Sequence, residues 1–268
     1  MPKKKSKPGV KKSVVNAKYL RTYSNLVPDK LDPRDRSLMA ASPRLAQSLP
    51  ASVDYSQETG PPQDQGNTGS CVGWSVAYGL RRWLHFKEHG RRKKFSVRFV
   101  WTASKEIDQW VPNALFELSG TSIRDSFKVL RKYGICSDTI WPFDSILPKT
   151  QDEEKLLNDA LKNRIGNYHA LETNIERKAH LAKKGPFVCG VPVYANWDGI
   201  GADGLVPSPG GDFNGGHAVL VVGYDDNTNM FKFQNSWSKE WGDSGYGYFT
   251  YDYMEQHSWN SWGADQLS

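Results

Sequence analysis

Apolar positions in this chain keep a helical period in the first half and a strand period in the second. Val72, Val76, Leu80 and the pair Trp83/Leu84 recur at helical spacing, so a helix is predicted to begin close to Ser70 and to run past Leu84. Its other face holds Arg81, Arg82, His85 and Lys87. A second helix is expected from about Ser122, with Ile123, Phe127 and Leu130 on one face and Gly134 as its C-terminal cap. Amphipathic segments follow near 152–163 and 174–184. Then the period shortens. Phe187 to Tyr194, His217 to Tyr224, Met230 to Gln234 and Gly245 to Tyr251 read as strands, the middle pair joined by a turn at 225–229. Helices first and strands later predict an α+β protein in two lobes. No internal repeat is visible.

Residues 1–50 have neither period. They are polar and carry Pro at 2, 8, 28, 33, 43 and 50. We read 1–48 as an extension lying outside the main fold or draped over it, and 49–268 as the main domain.

Composition narrows this picture. A chain of 268 residues with 38% hydrophobic and 12% aromatic residues is not a mainly disordered one, because it has the apolar surface to offset ordering entropy. Its apolar runs all fall short of the roughly 18 residues that a membrane-spanning helix needs. The N-terminus, MPKKKSKPGVKK, is followed by no apolar stretch and so lacks the form of a secretory signal. A cytoplasmic location is the default expectation, with delivery outside the cell by another route left open. The net charge of +6 is unevenly placed. Residues 1–36 carry 11 basic and 3 acidic residues, and the remainder 24 basic and 26 acidic. The protein is therefore a slightly acidic body with a basic tail. Such a tail suits a nucleic-acid arm, a localisation signal or a solvated end. Nothing aromatic interleaves Lys3 to Lys12 to stack on bases, so attachment to polyanions is expected to be weak and salt-sensitive.

Three cysteines, Cys71, Cys136 and Cys189, cannot all pair with one another. Their spacing lacks any C-x-x-C, which argues against a zinc knuckle and against a disulfide framework. Cys71 stands where the glycine-rich Gln65-Gly-Asn-Thr-Gly-Ser-Cys71 enters a predicted helix. There unpaired N–H groups and the helix dipole favour a thiolate and offer a donor to an oxyanion. Gln65 could turn its amide toward the same spot. A small buried hydrophobe is the competing reading of Cys71, and this segment alone leaves both open. Farther along, Gly215-Gly216-His217 opens an apolar strand, and Asn235-Ser-Trp237 follows in the next one. Trp241-Gly-Asp-Ser-Gly-Tyr-Gly-Tyr completes the set. His217 lies 146 residues after Cys71, and Asn235 lies 18 residues after His217.

These segments, in this order, resemble the papain-like cysteine proteases over about 49–255. The resemblance implies a papain-like two-lobed fold, a mainly helical lobe and an antiparallel β-barrel-like lobe with the active site between them. It implies a cysteine-type endopeptidase acting on polypeptides without metal or cofactor. Cys71 would be the nucleophile, forming a thioester acyl-enzyme, and His217 its base and then acid. Asn235 would orient the imidazole, Trp237 would shield that hydrogen bond from water, and Gln65 with the Cys71 N–H would form the oxyanion hole. The family's Gly-Gly substrate strand is matched here only by Gly120-Thr121, so Gly120, Thr121 and Ser122, with Gly216, are carried over to the substrate cleft. Two departures are visible: Val72 replaces the usual aromatic residue after the nucleophile, and Thr68 replaces a frequent cysteine. The leader is short, and Asp-Pro-Arg-Asp before Leu-Pro-x-x-Val-Asp resembles the abbreviated leaders of microbial relatives. It is expected to be removable up to about residue 45 and to cover the cleft. Competing functions are a catalytically silent peptide-binding module on the same fold and a Cys/His acyltransferase.

The remaining candidates have plainer readings. His85 and His89 have the i,i+4 spacing of a metal pair but no apparent third ligand, so they read as a solvated helix face. Arg91 to Lys94 read as a solvated helix exit. Gly210-Gly211 with Gly215-Gly216 feed a strand, not the helix N-terminus that binds phosphate. Cys136 and Cys189, in apolar surroundings, read as core.

Overall fold

The computed structural model describes residues 26–30, 32–42, 44, 48–108 and 113–266. The run Lys3 to Lys12, and the polyanion contact expected of it, lie outside the described residues. Two short helices, α1 (Leu38–Ala41) and α2 (Ser56–Thr59), precede a central helical run. That run begins with α3 (Cys71–Gly73), continues as a π-wound stretch (Trp74–Arg81) and ends as α4 (Arg82–His89). It starts one residue after Ser70, as the apolar period predicts. Around it pack α5 (Val97–Asp108), α6 (Ile123–Lys132) and α7 (Glu153–Leu161). Ser122 caps α6 by accepting the Asp125 N–H, and Gly134, at φ 76°, supplies the left-handed turn beyond its end.

The second lobe is an antiparallel sheet. Its strands are β1 (Ser52–Asp54), β2 (Tyr168–Ala170), β3 (Phe187–Tyr194), β4 (Phe213–Asp225), β5 (Met230–Gln234), β6 (Tyr246–Thr250) and β7 (Ser261–Ala264). They run in the order β2-β7-β3-β4-β5-β6, with β1 paired to β4. Helices α8 (Asn174–Lys183) and α9 (Tyr251–His257) pack on this lobe. β4 is buried on both faces, which explains its unbroken apolar run. Ala218, Leu220 and Val222 enter the helical core, while Val219 and Val221 enter the barrel core. Much of the aromatic content sits in the barrel. Phe233 stacks on Phe249 at 4.2 Å between ring centroids, beside Trp197, Trp237 and Trp241. Among the described residues no helix is long and apolar enough to cross a membrane.

Two expectations change. Of the pair read as a solvated helix face, His89 is exposed but His85 is buried, as are Arg81 and Arg82 beside it. Arg81 is 2% exposed. Its Nε donates to the Asn163 carbonyl and its Nη2 to Glu88, both at 3.0 Å, and its guanidinium lies over Phe95. Arg82 lies over the Tyr78 ring at 4.6 Å. A hydrogen-bonded guanidinium on an aromatic face can be buried while mimicking a solvated residue in sequence. The second change concerns the extension. Residues 26–30 and 32–36 are draped, but from Ser37 the chain is built into the barrel. Ser37 bridges to Ala170, Leu38 is wholly buried in the barrel core, and the Met39 N–H donates to Glu176.

Candidate active site

Three structural elements deliver the site. Cys71 opens the central helix of the helical lobe, while His217 lies in β4 and Asn235 follows β5 directly. Ala218 joins the two lobes at this point. Its carbonyl accepts the Ser75 hydroxyl at 2.9 Å, and its N–H bonds the Cys71 sulfur. The residue after His217 is thus held against the nucleophile's helix.

The hydrogen bonds fix which atoms donate. Asn235 Oδ1 accepts the Ser236 backbone N–H at 2.8 Å, so this atom is the oxygen of the amide. The same oxygen lies 2.8 Å from His217 Nε2. Nε2 therefore carries the proton, and in the neutral ring Nδ1 is left as the base. Nδ1 is buried and has no hydrogen-bond partner among the described residues. Trp237 stacks on the imidazole at 4.5 Å between centroids and 27° between planes. Gln65 is settled in the same way. Ser236 Oγ donates to its Oε1 at 2.6 Å, and its Nε2 donates to the Thr68 carbonyl at 2.8 Å. A second amide proton remains for a ligand.

Burial shapes the charges. It pushes the Cys71 thiol up to about 11, against hydrogen bonds from the Ala218, Val72 and Cys71 N–H groups. It also pushes the His217 imidazole down to about 4, opposed by the Asn235 bond. Both shifts have desolvation as their main cause and favour a neutral thiol beside a neutral ring.

The draped segment crosses the groove between the lobes. The Leu26 N–H donates to the Gly216 carbonyl and the Val27 N–H to the Thr121 carbonyl, both at 3.2 Å. Leu26, 6% exposed, fills a pocket that two glycines keep open. A Cβ at Gly190 would come within 2.7 Å of its Cδ2, and one at Gly216 within 3.2 Å of its Cβ and 2.3 Å of the Trp259 ring. Of the residues carried over to the cleft, Thr121 and Gly216 thus present backbone carbonyls to an extended segment. Gly120 is buried beside Thr121. The Ser122 side chain is not free for a ligand, because it accepts from the Asp125 N–H and donates to the Asp125 carboxylate.

A profile of the papain family of cysteine proteases matches residues 49–263. The chain belongs to the papain family of cysteine proteases. Xylellain, a cysteine protease from Xylella fastidiosa, is similar in structure with a TM-score of 0.76. It is 29% identical, and the match covers 91% of this chain and 96% of that one. An uncharacterized peptidase C1-like protein of Acanthamoeba polyphaga mimivirus is 27% identical over 71% of this chain and 64% of its own. Vignain of Vigna mungo is 30% identical over 74% of this chain and 54% of its own. The chain thus spans less than two thirds of the length of these two curated relatives. The fold is the papain-like one, α+β, with its helical and barrel-like lobes.

Within this papain-family site, Ser236 is the residue that the sequence reading passed over. It receives the Gln65 N–H on its carbonyl at 2.9 Å, donates its hydroxyl to Gln65 Oε1 and gives its own N–H to Asn235 Oδ1. One serine therefore orients two of the candidate side chains. Its signal in the sequence is its place in the Asn-Ser-Trp motif, between Asn235 and Trp237. Ser236→Ala leaves Gln65 Oε1 buried without a donor and is expected to lower kcat about tenfold with little change in KM. Steady-state kinetics on a peptide substrate check this, and an unchanged kcat would deny Ser236 a positioning role.

Proposed function

We propose that this papain-family chain is a cysteine-type endopeptidase acting through Cys71. The observation that carries the reading is the protonation pattern of His217. Nε2–H is committed to Asn235, and Nδ1 is held buried and unpartnered. A ring so oriented takes the Cys71 proton on Nδ1 and becomes an imidazolium steadied by Asn235. The thiolate attacks the peptide carbonyl carbon, and the C–S bond forms as the carbonyl π electrons move onto oxygen. That oxyanion is received by the Cys71 N–H, at the start of the helix, and by the second amide proton of Gln65. As the tetrahedral intermediate collapses, the C–N bond breaks and the leaving amine takes the proton from Nδ1. Water, deprotonated by the same nitrogen, then hydrolyses the thioester and restores the thiol.

The draped segment suggests how a polypeptide lies. A substrate in extended form would use the Gly216 and Thr121 carbonyls as residues 26–27 do. Its side chain at the Leu26 position would enter the pocket bordered by Ile123, Gly190 and Trp259, which favours an apolar residue of leucine size.

The test is covalent. A thiol-directed epoxide is expected to label Cys71 with one equivalent and to stop hydrolysis of an unfolded protein in proportion. Labelling elsewhere with activity retained would refute the assignment. Gln65→Ala is expected to lower kcat by about 10²- to 10³-fold, as for removal of one oxyanion donor. An unchanged kcat would remove Gln65 from the oxyanion hole.

A further inference from the structure

The far end of the central helix carries groups that this chemistry does not use. His85, Glu88 and His89 follow one another at i, i+3 and i+4 on α4, on one face of the helix. Their candidate ligand atoms lie within 4.8 Å of one another, and the two imidazole rings are 4.3 Å apart between centroids. His85 is 6% exposed and leaves a buried Nδ1 without a hydrogen-bond partner among the described residues. Glu88 likewise keeps a buried Oε1 unpartnered, while its Oε2 accepts from Arg81. Two orphaned, buried lone pairs within one small cluster are unusual, because buried polar atoms are nearly always satisfied. The third member, His89, has its side chain 52% exposed and can turn. Ligands of a tetrahedral zinc ion stand about 3.4 Å apart, given bonds of roughly 2.0–2.1 Å. Closing the cluster to that spacing calls on the exposed His89 ring.

We infer that His85, Glu88 and His89 form a binding site for a divalent transition metal of the zinc class. The spacing His-x-x-Glu-His is also one with which zinc peptidases present two histidines from a single helix. The surroundings select the kind of metal. Arg81 occupies Glu88 Oε2, so a hard cation would meet a single unpartnered carboxylate oxygen. Calcium and magnesium, which need several oxygen ligands, find one carboxylate here. Imidazole bonding suits zinc, nickel, cobalt or copper. The helix end contributes as well, since its C-terminal carbonyls carry the negative pole. A bound ion would tie the last turn of the helix that begins at Cys71, and water would complete its coordination.

The experiment uses the full chain carrying Cys71→Ala, which removes the reactive thiol as a competing ligand. Calorimetric titration with zinc chloride is expected to find one site. The cobalt-loaded protein is expected to show the visible bands of a nitrogen- and oxygen-ligated tetrahedral ion. His89→Ala, on an exposed position that should not disturb folding, is expected to weaken binding by about 100-fold or more. Glu88→Gln is expected to weaken it less, and His257→Ala to leave it unchanged. A saturating excess of zinc should raise the melting temperature of the parent protein but not of His89→Ala. Unaltered zinc affinity in His89→Ala would overturn the proposal, as would no binding by the parent.

Discussion

Cys71→Ala is expected to lower kcat/KM on an unfolded protein substrate by about 10⁴-fold or more, with the fold intact. The size follows from what the sulfur does. Alanine can form no thioester, so the two-step route is lost and only binding and the oxyanion donors remain. His217→Ala should cost about as much, because without Nδ1 the thiol keeps its proton at neutral pH. Burial, against the hydrogen bonds that oppose it, holds that thiol near 11. The two losses describe one step, so the double variant should be hardly worse than either single one. Losses that instead multiply in the double variant would mean the residues act separately. Asn235→Ala should fall between these variants and wild type, since it removes the acceptor that fixes the Nε2–H tautomer and leaves the base in place. Retention of activity within tenfold of wild type in Cys71→Ala would end the assignment.

The candidate site was legible in the sequence because its members sit at element boundaries that the patterns mark. Cys71 opens a helix that the spacing of Val72, Val76 and Leu80 announces, and His217 directly precedes the apolar run Ala218 to Val222 of its strand. Their meeting in space was carried by the family resemblance and not by periodicity. Periodicity was weakest where charge was buried. Arg81 and His85 follow a polar stripe yet lie inside, and the pattern holds no sign of the carbonyl, carboxylate and ring that receive Arg81. Helix α5 is within reach of the pattern, since Val97, Val100 and Trp101 keep a helical spacing. β2 and β7 are three and four residues long, and β7 is paired through distant strands, so no local period could reveal them. The seating of Leu38 in the barrel likewise depends on neighbours far along the chain.

Removal of residues 1–36 is expected to raise peptide hydrolysis about tenfold or more, with the cut placed before Ser37 because Leu38 belongs to the barrel core. We propose that residues 26–30 and 32–36 act as a strap over the cleft. Burial of one leucine is worth roughly 1.5–3 kcal/mol. A net docking advantage near the low end of that range already leaves about one molecule in ten open. The strap is latched by charge next to the cleft. Arg124 pairs with both Asp32 and Asp35, while Asp29 accepts from Trp262 Nε1 at 2.6 Å and from the Arg124 N–H at 3.0 Å. The pH dependence follows from two opposed carboxylates. Asp32 is held below the ordinary carboxylate range, first by Arg34 and then by Arg124. Arg34 belongs to the strap itself, so only the Arg124 contact supports docking; that support is complete above about pH 4 and is lost as the pH falls through the lowered value. Asp29 is raised by burial, so its ionisation opposes docking as the pH climbs from about 4 through the raised value. Asp29→Asn should keep an acceptor for Trp262, remove that opposition and make the full-length protein less active at neutral pH. Leu26→Asp should do the reverse and mimic truncation. Alkylation of Cys71 by iodoacetamide provides a second reading, since release of the strap admits water to the pair and favours thiolate with imidazolium. The truncated protein should react faster at pH 6 than the full chain. Equal hydrolysis and equal alkylation in the two forms would show that the strap does not hold the cleft closed.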